Sequence, residues 1–155
     1  MAVNQDLVGR EFPPTTPYLV GREKVREFAR AVFADAPQHT DVGAARAAGF
    51  ADVVAPPTFA MVIQDHTLQQ LLAEPDSGIV LARTIHAEQK FSYTRPIVAG
   101  DELTGLLRVT GIRMMGGNAM LTSAAEITDA AGEHVVTATS VLLVGADDSA
   151  EEGAE

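Results

Sequence analysis

The stretch TFAMVIQDHTLQQLLAE, residues 58–74, decides the fold. Phe59, Val62, Ile63, Leu68, Leu71 and Leu72, with Ala60 and Met61, make a helix that is apolar around most of its circumference in its first half. Such a helix has to be buried. VVAPP, residues 53–57, leads into it, and proline is tolerated at a helix start because the first N–H groups have no intrahelical acceptor. After Pro75 alternation replaces the helical period. Residues 83–94 alternate Ile85, Ala87, Gln89, Phe91 and Tyr93 against Thr84, His86, Glu88, Lys90 and Ser92, and strand patterns follow at 102–114, 118–128 and 133–144. MGG and DAAG between the last three are tight-turn chemistry, which joins strands as antiparallel hairpins. The expected fold class is α+β, a single domain in which an antiparallel sheet wraps one long buried helix.

Towards the N-terminus, residues 9–17 hold three prolines and read as an extended lead-in, with a short strand at residues 18–20. Val25, Phe28, Ala29 and Val32 then fall at i, i+3, i+4 and i+7, which predicts an amphipathic helix over residues 22–34 with a charged outer face. Pro37 ends it. Thr40 or Asp41 can cap a short helix that Gly49 closes.

The chain has 155 residues, a formal net charge of −10 and no cysteine. That excludes disulfides and thiolate chemistry, and it predicts a cytoplasmic setting. The acidity argues against nucleic acid as a partner, which needs a basic surface. No apolar run approaches the roughly 18 residues of a membrane span, so no membrane partner is expected. Part of the acidity is local: GADDSAEEGAE at residues 145–155 carries five carboxylates, and residues 146–155 are read as a disordered tail after a domain spanning 1–145.

For chemistry, the notable segment is FADAPQHTD, residues 33–41, which places Asp35, His39 and Asp41 together after the first helix. Histidine titrates near working pH and suits proton transfer. His66 reads as a hydrogen-bonded helix residue, and His86 and His134 as exposed strand residues. The four histidines have no metal-ligand spacing, so neither a metal nor any other cofactor is expected. There is no G-x-S-x-G, and the serines Ser92, Ser123 and Ser140 sit mid-strand. Tyr93 and Arg95 border RPIVAGD, a turn that Pro96, Gly100 and Asp101 build.

Three segments together, HTDVGAARAAGF (39–50), VVAPPTFAM (53–61) and FSYTRPIVAGDEL (91–103), carry a family resemblance. The chain resembles the MaoC-like branch of the hotdog fold over about residues 5–145. Within that branch it looks most like FAS1-like or MaoC N-terminal dehydratase domains, including the non-catalytic-type subunits of two-subunit dehydratases. Active members of the family carry a D-x-N-P-x-H-x-D loop. Here Pro37, His39 and Asp41 match, whereas Ala34 and Ala36 stand at the acid and amide positions. Active members also carry A-H-G-M at the start of the central helix. This chain reads Ala55-Pro56-Pro57-Thr58, and proline has no N–H to offer a thioester oxygen.

The resemblance implies a subunit of an (R)-specific 3-hydroxyacyl-thioester dehydratase acting on an acyl-CoA or acyl carrier protein thioester. His39 and Asp35 are its catalytic candidates, either active or vestigial, and Pro57, Thr58, Tyr93 and Arg95 its substrate-binding candidates. It implies side-by-side pairing, with a MaoC-like partner subunit supplying the Asp/His pair or with a second copy of the chain. The alternatives are a self-sufficient homodimeric hydratase using Asp35 and His39, and a non-enzymatic acyl-thioester binding protein.

Overall fold

The fold is organised around α3 (Ala60–Leu72), entered through a single 3-10 turn at Pro57–Phe59. This computed structural model describes residues 2–146; all of the acidic tail except Ala146 lies outside the described residues. Pro56 and Pro57 need no N–H acceptor at that point of the chain, so the turn starts without loss. Phe59, Ala60, Ile63 and Leu71 have no solvent access. Gln64 and Thr67 are equally buried, which the apolar pattern did not indicate.

The remaining elements are β1 (Tyr18–Leu19), α1 (Arg22–Ala31), α2 (Val42–Ala47), β2 (Thr84–Tyr93), β3 (Glu102–Met115), β4 (Asn118–Thr128) and β5 (His134–Val144). The strands form one antiparallel sheet in the order β1-β3-β4-β5-β2. Inward positions such as Leu103, Leu107, Leu121, Ala125, Ile127, Val136 and Ala138 are buried against α3, so the sheet wraps the helix in the hotdog arrangement. Gly105 permits the closest approach. A Cβ at that position would lie 2.7 Å from the Thr67 γ-methyl.

Gln64 is hydrogen-bonded on every side. Its amide nitrogen donates to the Ala138 carbonyl at 3.2 Å and to Ser140 Oγ at 3.3 Å, and its Oε1 accepts from Gln89 at 2.8 Å. Ser140 Oγ also bonds Ser123 Oγ at 3.2 Å. The buried amide thereby links α3 to β2, β4 and β5 with its polar atoms satisfied.

α1 buries Val25 and Ala29 and sets Phe28 edge-on against Phe59, with ring centroids 5.2 Å apart. It ends at Ala31, three residues before the expected Ala34, because Phe33 adopts φ 58° and reverses the chain. The Ala34 N–H then donates to the Ala29 carbonyl at 2.8 Å and the Phe33 N–H to the Arg30 carbonyl at 3.3 Å. Glycine is the usual residue at this position of a Schellman closure, because a left-handed conformation crowds a Cβ. Phe33→Gly is therefore expected to stabilise the protein by about 0.5–1 kcal/mol in urea unfolding, since the 86% exposed ring gives up little packing. An unchanged midpoint would argue against strain there.

Candidate functional site

His39 closes a 3-10 turn at Pro37–His39, where Pro37 fixes the entry and the His39 N–H donates to the Ala36 carbonyl at 3.0 Å. Its ring is half-buried, and Nδ1 lies 2.6 Å from the Val54 carbonyl oxygen. A carbonyl can only accept, so Nδ1 is the donor in this bond and Nε2 is the ring nitrogen left for another partner. Val54 is held in turn: its N–H donates to the Gln38 carbonyl at 2.9 Å, and the Ala55 N–H and the Ala99 N–H bond Ile97 and Val53 at 2.8 and 2.9 Å.

The segment opposite is set by Arg95. Its guanidinium binds Asp101 through two bonds of 2.8 and 3.1 Å and Asp129 through one of 3.1 Å, while Asp101 Oδ2 also accepts from the Val98 N–H at 2.9 Å. The bond from Arg95 holds the Asp129 carboxyl below its usual range, and the Asp101 bond raises the guanidinium itself. Arg95 thus fixes residues 97–99, which fix residues 53–55, which orient His39.

A second clamp acts from α1. Arg22 grips Asp52 with bonds of 2.7–3.1 Å, and Arg26 donates to the Thr40 carbonyl at 2.8 Å. The Arg22 hydrogen bond brings the Asp52 carboxyl down from 3.8 to about 2. A depressed folded value contributes stability that is present above the unfolded value and lost as pH falls towards the folded one. The stability difference between wild type and Asp52→Asn is expected to shrink between about pH 4 and pH 2, measured by urea unfolding across that range. A difference constant with pH would sink this account.

A cavity of about 390 Å³ opens beside these residues and is lined by His39, Gln38, Pro57, Tyr93, Thr94 and Arg95, over an apolar wall of Val54, Ala55, Pro96 and Ile97. That is large enough for a small ligand group. The Tyr93 hydroxyl donates to the Pro57 carbonyl at 2.5 Å. Burial pushes the phenol up to about 12, against the opposing pull of the Ala60 N–H at the helix start.

Of the residues singled out in the sequence, His39, Pro57, Tyr93 and Arg95 share this cavity. Thr58 and Asp35 do not line it, and both are exposed. Asp41 is occupied elsewhere: its Oδ1 accepts from the Ala44 N–H at 2.6 Å as the N-cap of α2. The cavity lining therefore contains a histidine and no carboxylate. Sequence reasoning did not find Gln38, Thr94 or the Val54 carbonyl. A backbone acceptor leaves no signature in residue type.

The other histidines lie apart from the cavity lining. His66 makes an edge-on ring contact with Tyr18 at 5.7 Å rather than a hydrogen bond. His86 is exposed on β2 and bonds Gln89 at 3.0 Å, whereas His134, expected to be exposed, is half-buried between Thr94 and Thr137. Among the described residues no helix is long and apolar enough to cross a membrane.

Comparison with known proteins agrees with this geometry. The chain is 60% identical over 149 residues to a UPF0336 protein of Clavibacter michiganensis subsp. michiganensis, covering 96% of this chain and 100% of that one. Among solved structures it is similar to a chain of the C-terminally truncated HadBC (3R-hydroxyacyl-ACP dehydratase) complex from Mycobacterium tuberculosis, with TM-score 0.80 and 30% identity over 89% of this chain and 97% of that chain. It also matches a MaoC-like dehydratase at TM-score 0.79 and 37% identity, covering 93% of this chain and 44% of that one. The family described as FAS1-like, dehydratase domain region, matches residues 6–138. With a hotdog sheet around α3 and a histidine-bearing cavity at the start of that helix, the chain belongs to this family of FAS1-like, MaoC-like hotdog dehydratase domains.

Proposed function

We propose that this chain is one subunit of a two-chain (R)-specific 3-hydroxyacyl-thioester dehydratase, shaping the acyl site while a MaoC-like partner supplies the Asp/His pair. The observation that carries this reading is the cavity with His39 and no carboxylate. Dehydration removes an α-proton and expels hydroxide, so one unassisted imidazole covers only half of the proton traffic. Asp35 and Asp41 lie outside the cavity lining, on an exposed loop and at a helix cap.

Association is supported by the sheet. β2 is a ten-residue edge strand whose outer side has no partner among the described residues, and Leu81 just before it and Ile85 within it are 69% and 63% exposed. A long unpaired edge favours pairing with another chain. The similar HadBC structure is of a complex. The acyl group would ride on coenzyme A or on a carrier protein. Of the basic residues on α1, Arg22 pairs with Asp52, Lys24 with Glu27 and Arg26 with Glu23, which leaves Arg30 to attract an acidic carrier.

The test is hydration of crotonyl-CoA by this chain alone and mixed with a MaoC-like chain from the same source. The mixture is expected to exceed the isolated chain by at least about a hundredfold, the lower end of what an acid/base pair contributes. Full activity from the isolated chain, or none from any mixture, would reject the subunit reading.

A further inference from the structure

We propose that the Tyr93 hydroxyl is the hydrogen-bond donor that holds the carbonyl oxygen of an acyl thioester in this cavity. The inference deepens the reading of the chain as a subunit that shapes an acyl site, and it rests on that reading. It starts from an inventory of donors. Pro56 and Pro57, at the turn into α3, have no N–H. The Nη1 and Nη2 groups of Arg95 are taken by Asp101, Asp129 and the Pro96 carbonyl, and the Thr94 hydroxyl is bonded to His134 at 2.5 Å. The His39 Nδ1–H is committed to the Val54 carbonyl.

Gln38, the Arg95 Nε–H and Tyr93 remain as side-chain donors in the lining, and Tyr93 is the one whose hydroxyl sits at the turn leading into the central helix. Its present acceptor is the carbonyl of the exposed Pro57, which water can satisfy once a ligand takes the hydroxyl. Burial pushes the phenol up to about 12, so the hydroxyl keeps its proton and stays a donor at neutral pH. Because Arg95, the cation of the lining, is ion-paired, the cavity favours a neutral acceptor over a phosphate. A thioester carbonyl is such an acceptor. In a 3-hydroxyacyl thioester the hydroxyl group would in turn find an acceptor in His39 Nε2.

The test compares two saturated probes that cannot turn over: butyryl-CoA, and S-butyl-CoA, the thioether without the carbonyl oxygen. Calorimetric titration of the full-length chain, alone and with its partner chain, is expected to show about a tenfold preference for butyryl-CoA, the worth of one uncharged hydrogen bond. Tyr93→Phe keeps the ring and should collapse that ratio to about one while leaving S-butyl-CoA affinity unchanged. In wild type the thioester C=O stretch of bound butyryl-CoA should shift to lower frequency, a readout that does not depend on the variant folding. Retention of the preference by Tyr93→Phe, no preference or no binding in wild type, or an unshifted carbonyl would each overturn the proposal. An active mixture whose Tyr93→Phe variant keeps the tenfold preference would overturn this inference and leave the subunit reading standing.

Discussion

Phe59→Ala is expected to lower the stability by about 3–5 kcal/mol, the cost of removing a buried phenyl ring from a packed site. Phe59 has no solvent access, lies at the entry to α3 and receives the Phe28 ring edge-on at 5.2 Å. The alanine would leave a cavity between two elements already fixed from other directions, α1 by its ion pairs and α3 by the sheet, so collapse into it should be small. For a chain of this size that loss corresponds to a fall in melting temperature of roughly 10 °C. Calorimetry or urea unfolding measures it. A loss below about 1 kcal/mol would mean that the α1 to α3 contact is peripheral, contrary to its burial. The same variant should loosen the turn carrying Pro57, so a functional loss larger than the fraction unfolded is expected.

Gly105→Val is expected to cost about 3 kcal/mol, and more than Gly105→Ala. The Cβ would meet the Thr67 γ-methyl at 2.7 Å and the Ile63 γ-methyl at 3.4 Å. Thr67 yields little, because its hydroxyl is tied to the Gln64 carbonyl at 2.7 Å and its branched Cβ restricts χ1. Relief therefore requires the helix to lift from β3, which would strain the Gln64 bonds to β2 and β5. Overpacking of this kind costs typically 1–3 kcal/mol, and a rigid neighbour places it at the upper end. Urea unfolding of the two variants beside wild type tests the order. Equal stability of all three would show that α3 rides loosely on the sheet.

Most of the fold was legible because the two periods are distinct. The strand patterns read at 83–94, 102–114, 118–128 and 133–144 fall within about a residue of β2 to β5, since alternation and glycine turns are local properties of the chain. The turns at Gly116 and Gly117 take positive φ, as their residue type suggested. The end of α1 was misread by three residues because a phenylalanine occupies the left-handed closing position where glycine is the usual signal. Gln64 and Thr67 stand outside the apolar pattern of the helix. They are buried because the sheet closes over that side as well, and the burial is tolerable because Gln64 bonds β5 and the Thr67 hydroxyl bonds the Gln64 carbonyl within α3.

The site was legible in part. Pro37, His39 and Asp41 stood out as a motif, and His39 does line a cavity with Pro57, Tyr93 and Arg95. Asp35 stood one residue from an acid position, yet after the Phe33 reversal it is exposed and outside that cavity, a result of chain direction rather than residue type.

By itself the sequence determined the α+β class, the buried central helix, the hairpins and the family, because periodicity, turn chemistry and short motifs are written along the chain. Only the tertiary structure decided that the Val54 carbonyl orients His39, that Arg95 is bound to two aspartates, and that the cavity has a histidine without a carboxylate. Each of these depends on backbone groups and side chains far apart in the chain, brought together by the pairing of residues 53–55 with residues 97–99.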